Sequence, residues 1–156
     1  MGQQWNEIVR YDLSTQNSGE WTTIAKVNEA NQRGGVAFVV EDKVYAGLGE
    51  KSNGIRNGFY VSSDSLTKWE LIPSIPAQLG VISSGVYDEQ KKSFFMIDND
   101  GKIWEYNLTT EQWTSRSLWI RMKNYHMFML DGSIYILGQD IYQKNKFTVY
   151  NPIWDN

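Results

Sequence analysis

The chain of 156 residues contains no cysteine, three prolines and one histidine. The absence of cysteine excludes disulfide bonds, thiolate nucleophiles and cysteine-ligated metal sites. A single histidine, His126, cannot supply a zinc or copper site of the usual kind without cysteine ligands. The sequence therefore predicts no catalytic metal, no redox chemistry and no cofactor, and it assigns no catalytic residue.

Charge of one sign is nowhere concentrated, because 15 basic residues are scattered among 18 acidic ones for a net charge of −3. Such a chain has no electrostatic footprint for nucleic acid or for an anionic membrane surface. No apolar run approaches the roughly 20 residues that a membrane-spanning helix needs. We therefore expect neither nucleic acid nor a membrane span among its interactions.

These absences do not fix the compartment, because many periplasmic proteins also lack cysteine. The first ten residues have no apolar core of a secretory signal. Repetitive β-domains rich in tryptophan and asparagine are commonplace at bacterial surfaces. The composition favours the periplasm or the cell surface, with a signal peptide absent from this chain.

The stretch 123–154 reads as one complete structural unit. An apolar run leads to Asp131-Gly132, a second apolar run ends at Gly138, and a polar loop precedes a third run that closes on Trp154. Asp-Gly between two strand-like runs is a strong hairpin signal, because a tight primed turn needs positive φ. Apolar spacing near period two, with many β-branched and aromatic residues, predicts strands along the chain and no helix.

Two sets of aromatic residues recur along the chain. Tryptophans recur at spacings of 48, 44 and 41, and tyrosines before them at 49, 46 and 44: Trp21, Trp69, Trp113, Trp154; Tyr11, Tyr60, Tyr106, Tyr150. A period in the low to middle forties with several short strands per copy is typical of a β-propeller blade. We predict one domain over 1–156, with the outer half of a blade at 5–27 and copies at 33–73, 78–117 and 121–156.

The third copy carries a specific order of residues. Lys123 is followed by His126, the apolar run, the Asp-Gly turn and Ile-Tyr-Ile-Leu-Gly, and Tyr-Asn-Pro precedes the last tryptophan. The first copy matches with Arg33, Lys-Val-Tyr at 43–45 and Tyr60. This order resembles kelch-type β-propeller repeats, although their adjacent glycine pair does not occur in its expected place.

The segment 62–69 also resembles a degenerate Asp-box of sialidase-type propellers that lacks its glycine. Together the resemblances cover nearly the whole chain. They imply an all-β fold: a kelch-like β-propeller, or a propeller segment, of about three and a half blades of four antiparallel strands. The similarity to copper-radical oxidases of kelch architecture stops at the fold, because the ligands for copper are missing.

Ligand sites of propellers gather at loops that precede or connect inner strands, and a kelch-like fold places several residues there. Trp119, in the connection 117–122, is the best placed tryptophan for an exposed ring that could stack on a sugar. The candidate ligand-binding residues are Arg33, Arg56, Trp119, Arg121, Lys123 and His126. Solvated loop charges and a structural histidine are the plain alternatives.

Two further motifs are interpreted structurally. The segment Asp-Asn-Asp-Gly at 98–101 fits part of a calcium-binding EF-hand loop, but Met96 and Asn107 stand at two of its ligand positions. A hairpin turn therefore explains it better. The tryptophans in the repeat phase are predicted to pack between sheets, whereas Trp5, Trp104 and Trp119 lie outside that phase.

Three functions remain open. The first, which we favour, is a non-catalytic binding or scaffolding module that recognises a protein or glycan through inter-blade loops. The second is a carbohydrate-active enzyme of sialidase, lyase or mutarotase type, which requires acid–base residues and arginines converging on one face. The third is a structural half-propeller that assembles with another chain.

The predicted blade count also predicts association. Propellers typically have about 4 to 8 blades. A segment of three and a half blades would expose apolar faces and unpaired strand edges, both of which favour association. We expect the two ends to meet, either within one chain as a small closed ring or, as we prefer, between two chains of a homo-oligomer as a larger ring. A chain that belongs to a longer propeller is the remaining alternative.

Overall fold

A computed structural model of the chain describes residues 7–13, 19–26, 35–51, 54–55, 58–63, 66–76, 84–98, 100–119 and 122–152. These ranges contain fifteen β-strands and no α-helix. Every strand pairing in them is antiparallel. The predicted all-β architecture is confirmed for this part of the chain.

The strands are β1 (Glu7–Asp12), β2 (Glu20–Lys26), β3 (Val36–Val40), β4 (Lys43–Gly47), β5 (Glu50–Lys51), β6 (Gly54–Ile55), β7 (Phe59–Ser62), β8 (Trp69–Leu71), β9 (Gly85–Asp88), β10 (Ser93–Ile97), β11 (Lys102–Asn107), β12 (Gln112–Trp119), β13 (Lys123–Leu130), β14 (Ser133–Gln139) and β15 (Asn145–Tyr150). Sheet 1 is the hairpin β1–β2. Sheet 2 has the order β3-β4-β7-β8, sheet 3 the order β9-β10-β11-β12 and sheet 4 the order β13-β14-β15. The short hairpin β5–β6, which the sequence did not predict, is inserted between the second and third strands of sheet 2.

Sheets 2, 3 and 4 each start from an inner strand and run outward in chain order. The inner strand β9 contacts both of its counterparts, β3 and β13. Consecutive sheets therefore pack face to face beside a shared set of inner strands, which is a propeller-like arrangement. The described residues do not form a closed propeller.

The hairpin turns follow local rules that the sequence carries. Asp131 and Gly132 have φ values of 50° and 72°, and Leu130 pairs with Ser133 across them. This is the predicted tight primed turn, and Gly132 is favoured there by its φ alone, because no atom lies near the position of a Cβ.

The predicted hairpin turn joins β10 to β11, and its described residues are Asp98, Asp100 and Gly101. The Asp98 carboxylate accepts hydrogen bonds from the backbone N–H groups two and four residues later, at 3.0 and 2.9 Å, and from Trp104 Nε1 at 3.0 Å. Asp140 accepts the same two backbone bonds in the turn between β14 and β15, at 2.8 and 3.0 Å. The shared spacing Asp-x-x-x-Lys, at 98–102 and again at 140–144, is a repeat signal in its own right.

The strand register corrects one part of the predicted repeat. Tyr106 and Tyr150 occupy equivalent positions, 44 residues apart. Each lies on the third strand of its sheet and pairs with the second residue of the second strand, Phe94 or Ile134. The equivalent residue of sheet 2 is Ser62, whose Oγ accepts a hydrogen bond from the Val44 N–H at 2.8 Å. Tyr60, the residue predicted for this position, lies two residues earlier. The inserted hairpin β5–β6 lengthens this copy and hides the true register.

The repeat phase of the tryptophans is confirmed for three of them. Trp113 pairs with Tyr106, Trp21 pairs with Tyr11, and Trp69 takes the same place in sheet 2. Burial does not follow the phase, however. Trp21 is 67% exposed, whereas Trp104, which lies outside the phase, is buried and bonded to Asp98. Trp154 lies outside the described residues.

Two apolar cores separate the three sheets. The core between sheets 2 and 3 is aromatic, with Phe94 stacked on Phe38 at a ring-centroid distance of 4.4 Å and edge-on to Phe59 at 5.8 Å. Gly85 on β9 permits this approach, because a Cβ there would lie 2.6 Å from the Phe38 ring. The core between sheets 3 and 4 is mainly aliphatic, and its buried members are Val86, Phe95, Ile97, Ile103, Met122, Tyr125, Met127, Ile134, Ile136 and Tyr150.

Candidate binding face on the last sheet

Sheet 4 has two apolar faces, and the described residues cover only one of them. Met127, Ile134 and Ile136 point towards sheet 3 and are buried there. Side chains alternate along a strand, so their neighbours point the opposite way. These neighbours form a surface that we call the open face, and it consists of Phe128, Leu130, Tyr135, Leu137, Phe147 and Val149.

The open face repeats the face by which sheet 3 packs on sheet 4. In the strand register, four residues of sheet 3 have counterparts one repeat later on sheet 4: Val86, Phe95, Ile97 and Ile103 correspond to Phe128, Tyr135, Leu137 and Phe147. The four residues of sheet 3 are 7%, 0%, 1% and 0% exposed. On sheet 4, Phe128, Leu137 and Phe147 are 43%, 44% and 56% exposed, and Tyr135 is half-buried. An apolar surface that one sheet buries is left exposed on the next.

Three aromatic rings cross the open face from strand to strand. Phe128 stacks on Tyr135 with ring centroids 5.2 Å apart and planes 10° apart, and Tyr135 lies 5.7 Å from Phe147. Cross-strand aromatic pairs of this kind stiffen a sheet surface. The open face is therefore a flat and preorganised apolar surface.

A groove of about 560 Å³ lies at one end of the open face. Leu137 and Phe147 form its apolar part, and the other lining residues are Asn124, His126, Gly138, Gln139, Asn145 and Lys146. Asn124 Nδ2 donates to Gln139 Oε1 at 3.4 Å, which holds two amide groups at the rim. No carboxylate occurs among these lining residues, so they do not include the carboxylate pair that most glycoside hydrolases use.

Among the six candidate ligand residues, only the His126 side chain is described. His126 is exposed on β13, pairs with Leu137 and lines the groove. It lies on β13, the inner strand of sheet 4. Arg33, Arg56 and Arg121 lie outside the described residues, as do the side chains of Lys123 and Trp119. No two of the six are therefore brought together by the described structure.

Trp119 is not in a connection, which corrects the sequence prediction. The strand β12 extends to Trp119, and this residue pairs with Lys102 at the start of β11. Between Lys102 and Trp104 the register shifts by two extra residues of β12, since Trp104 pairs with Ser115 and Lys102 with Trp119, and the outer strand continues. The segment 117–119 is thus strand, because a bulge keeps it hydrogen-bonded beyond the point where the pattern predicted a loop.

Charged groups near the two cores are compensated. The buried Glu105 accepts from the Arg116 guanidinium, through Nε at 2.8 Å and through Nη2. Within the described ranges, no three His, Asp or Glu side chains are grouped so that they could hold a metal ion. The same part of the chain has no helix of sufficient length and apolarity to cross a membrane.

Three tyrosines between sheets 2 and 3 are held in the protonated form. Burial raises the pKa of Tyr106 to about 12, with smaller contributions from Glu111 and Tyr45. Burial also raises the pKa of Tyr45, and Glu41 adds to this effect. The pKa of Tyr87 is raised chiefly by burial as well. These phenols are packing groups and not bases at neutral pH.

The fold is similar to the solved structure "Structure of YjhT", with a TM-score of 0.66 and 10% sequence identity over 92% of this chain. This chain spans 59% of YjhT. The protein has a propeller-like fold. The sequence matches no protein-family model and no curated protein. The likeness to YjhT therefore concerns the propeller-like fold alone.

Sequence reasoning missed the open face, although a signal for it is present. The strand Ser133–Gln139 carries Ile134 and Ile136 on one side and Tyr135 and Leu137 on the other. A strand that is apolar on both sides is typical of a sheet covered on both faces. The propeller-like sheet 4 thus carries the pattern of an interior blade while one of its faces is exposed.

Proposed function

We propose that this chain is a non-catalytic binding or scaffolding module, and that its binding surface is the open face of sheet 4. The ligand is a protein that presents an apolar β-sheet. One observation supports this proposal above the others. The open face matches, position by position, the face that sheet 3 buries against sheet 4.

The energetics favour a partner on this surface. Full burial of a large apolar side chain contributes about 1.5–3 kcal/mol relative to exposure. Phe128, Leu137 and Phe147 are partly exposed, so a partner that covers them would gain much of this free energy. Exposed contiguous apolar patches typically mark interaction sites. Because the rings are already stacked on one another, little side-chain entropy is lost when a partner covers them.

That the repeats are of the kelch type is also part of this proposal. Kelch-type repeats are supported by the 44-residue register period between Ser62, Tyr106 and Tyr150. The sialidase-like Asp-box at 62–69 and the copies at 33–73, 78–117 and 121–156 rest on the sequence resemblance. The six candidate ligand residues rest on the sequence resemblance as well, and in this proposal they would add contacts around the binding surface: Arg33, Arg56, Trp119, Arg121, Lys123 and His126.

A glycan is a second candidate ligand, because the groove places amide side chains beside an aromatic ring. Asn124 and Gln139 could bond sugar hydroxyls while Phe147 packs on a pyranose ring. Titration with neutral and acidic oligosaccharides should then show saturable binding. Phe147→Ala should abolish that binding and Thr148→Ala should not, since Thr148 is not among the lining residues.

The enzyme alternative has less support. A sialidase, lyase or mutarotase requires acid–base groups near arginines. The described groove residues include no carboxylate, and the described pair Arg116 and Glu105 is an ion pair between neighbouring strands. The proposed function is therefore non-catalytic.

Because the chain has no cysteine, a single introduced thiol can report whether the open face is covered. In Leu130→Cys the new thiol is the only one in the chain and lies on the open face, where it leaves the rings of Phe128, Tyr135 and Phe147 in place. Thr109→Cys places the thiol in an exposed turn as a matched control. We expect a maleimide to label position 130 more slowly inside the producing cell than in dilute purified protein. Position 109 should react alike in both. Equal rates at position 130 in the two settings would contradict the proposed function.

A further inference from the structure

The hairpin of sheet 1 exposes a pair of aromatic rings. Tyr11 on β1 and Trp21 on β2 are register partners, and their ring centroids lie 4.9 Å apart at an interplanar angle of 45°. They are 43% and 67% exposed. Val9, two residues before Tyr11 and on the same face of the strand, is exposed as well.

The outer half of sheet 3 has the same construction. Tyr106 on β11 and Trp113 on β12 are register partners, with ring centroids 4.8 Å apart at an angle of 44°. The two ring pairs therefore agree in register, distance and angle. Sheet 1 is built like the outer two strands of sheet 3.

The ring pair of sheet 3 docks on the preceding sheet. Trp113 lies 6.0 Å from the ring of Phe59 on sheet 2, and its Nε1 donates to the Pro73 carbonyl oxygen at 2.6 Å. Phe59 is fully buried by this packing and by Phe94. The contact shows which surface such a ring pair requires: an aromatic residue on the third strand of a neighbouring sheet.

On sheet 4 the residue equivalent to Phe59 is Phe147, and the described residues do not bury it. Phe59 pairs with Gly47, the fifth residue of β4, and Phe147 pairs with Leu137, the fifth residue of β14. Phe147 is exposed on the open face. The molecule thus carries an uncovered ring pair on sheet 1 and, on sheet 4, the uncovered position that such a pair fits.

We propose that sheet 1 of a second copy of this chain docks on the open face, with Trp21 on Phe147 as Trp113 lies on Phe59. The inference rests on the proposed function of the open face and names its partner. Both Trp21 and Phe147 are exposed in the described part of one chain, so this contact is not made there. Two copies related by a twofold axis make the contact twice. The first contact raises the effective concentration for the second.

The inference is tested by sedimentation of the full chain from low micromolar to submillimolar concentration. The wild type should shift reversibly from 18.1 kDa to twice that mass. Trp21→Ala and Phe147→Ala should each weaken dimerisation by about tenfold or more, as loss of a central aromatic contact does. Both side chains are exposed, so the fold should survive. Leu13→Ala, at an 83% exposed apolar position just after β1, should dimerise like the wild type.

Mixing the two variants sharpens the test. The Trp21→Ala chain keeps an unaltered open face, and the Phe147→Ala chain keeps an unaltered β1–β2 hairpin. A mixture can therefore form one complete contact, and it should dimerise more tightly than either variant alone. A mixture no tighter than its components would overturn the proposed pairing of Trp21 with Phe147.

Two other outcomes would contradict docking by a second copy of the chain without contradicting a binding role for the open face. In the first, the wild type stays monomeric at every concentration while a thiol at position 130 is still protected in the cell, which assigns the open face to another protein. In the second, that thiol is protected even in dilute monomer and Trp21→Ala removes the protection, which places the hairpin on its own chain. Absence of protection in the cell would instead contradict the proposed function itself.

Discussion

The face of sheet 3 that is buried against sheet 4 and the open face of sheet 4 occupy the same register positions, one repeat apart. Phe95 and Ile103 are fully buried, whereas Tyr135 and Phe147, their counterparts, meet solvent in part. The residue types hardly differ, so the difference in burial comes from the neighbouring sheet. Local sequence sets the surface that a sheet presents, and the neighbour decides whether that surface contributes to stability.

At one position the open face carries an apolar residue where the buried face carries a charged one. Glu105, bonded to Arg116, corresponds to Val149. An exposed face without any functional constraint would be expected to gain charged residues, because nothing opposes them. The opposite change at Val149 supports a covered state for the open face.

The largest expected difference is between Phe95→Ala and Tyr135→Ala. Phe95 is fully enclosed, so its truncation should lower the free energy of unfolding by about 3–5 kcal/mol. Tyr135 is half-buried, so its truncation should lower the free energy of unfolding far less. Urea denaturation at a concentration where the chain is monomeric measures both changes. Equal losses would show that the two faces are equally covered in the monomer.

A smaller difference is expected between the turns of the two sheets. Asp98→Ala removes two backbone hydrogen bonds and also leaves the buried Trp104 Nε1 without its acceptor, whereas Asp140→Ala removes only the two backbone bonds. Leaving a buried donor unpaired costs about 1–3 kcal/mol. Asp98→Ala should therefore be the more destabilising by roughly that amount in thermal denaturation. Equal melting temperatures would disprove the role assigned to Trp104.

The aromatic core between sheets 2 and 3 should make stability depend on alkaline pH. A tyrosine in the unfolded chain has a pKa of about 10, and burial raises the pKa of Tyr106 to about 12. The protonated phenol thus contributes stability that is complete below about pH 10 and is lost as the pH rises towards 12. The melting temperature should fall in this window, and less steeply in Tyr106→Phe. Tyr142→Phe, at an exposed position, should behave like the wild type.

The smallest effect is expected on the open face itself. Val149→Thr replaces an exposed methyl group with a hydroxyl, and exposed substitutions usually change stability by less than about 0.5 kcal/mol. The monomer should therefore unfold like the wild type, while the dimer proposed above becomes weaker. A clear loss of monomer stability would mean that Val149 is covered within its own chain.

Much of the fold was predictable because its determinants are local. The strand 93–97 and the turn at Asp131 follow from alternation and from turn residues. The position of Tyr60 was predicted wrongly because the inserted hairpin β5–β6 changes the length of one copy without changing its pattern. Trp119 was placed in a loop because a bulge, which alternation does not reveal, extends β12.

The candidate site was less predictable than the fold. His126 was predicted as a ligand residue from its place in the repeat, and it lines the groove, while its role stays a prediction. The rings of the open face were interpreted only as strand residues. A ring such as that of Phe147 becomes a binding feature through the lack of a neighbour, and this depends on residues far away in the chain.

The sequence by itself determined the strands, their turns and the phase of the tryptophans, because these depend on φ preferences, side-chain alternation and bonds that reach only a few residues along the chain. Only the tertiary structure decided which apolar faces are covered. Trp104 is buried and Trp21 is exposed although the repeat phase suggested the reverse. The physical reason is that apolar burial depends on what packs opposite a side chain. In this protein the opposing surface comes from another sheet, and for the open face we infer that it comes from another copy.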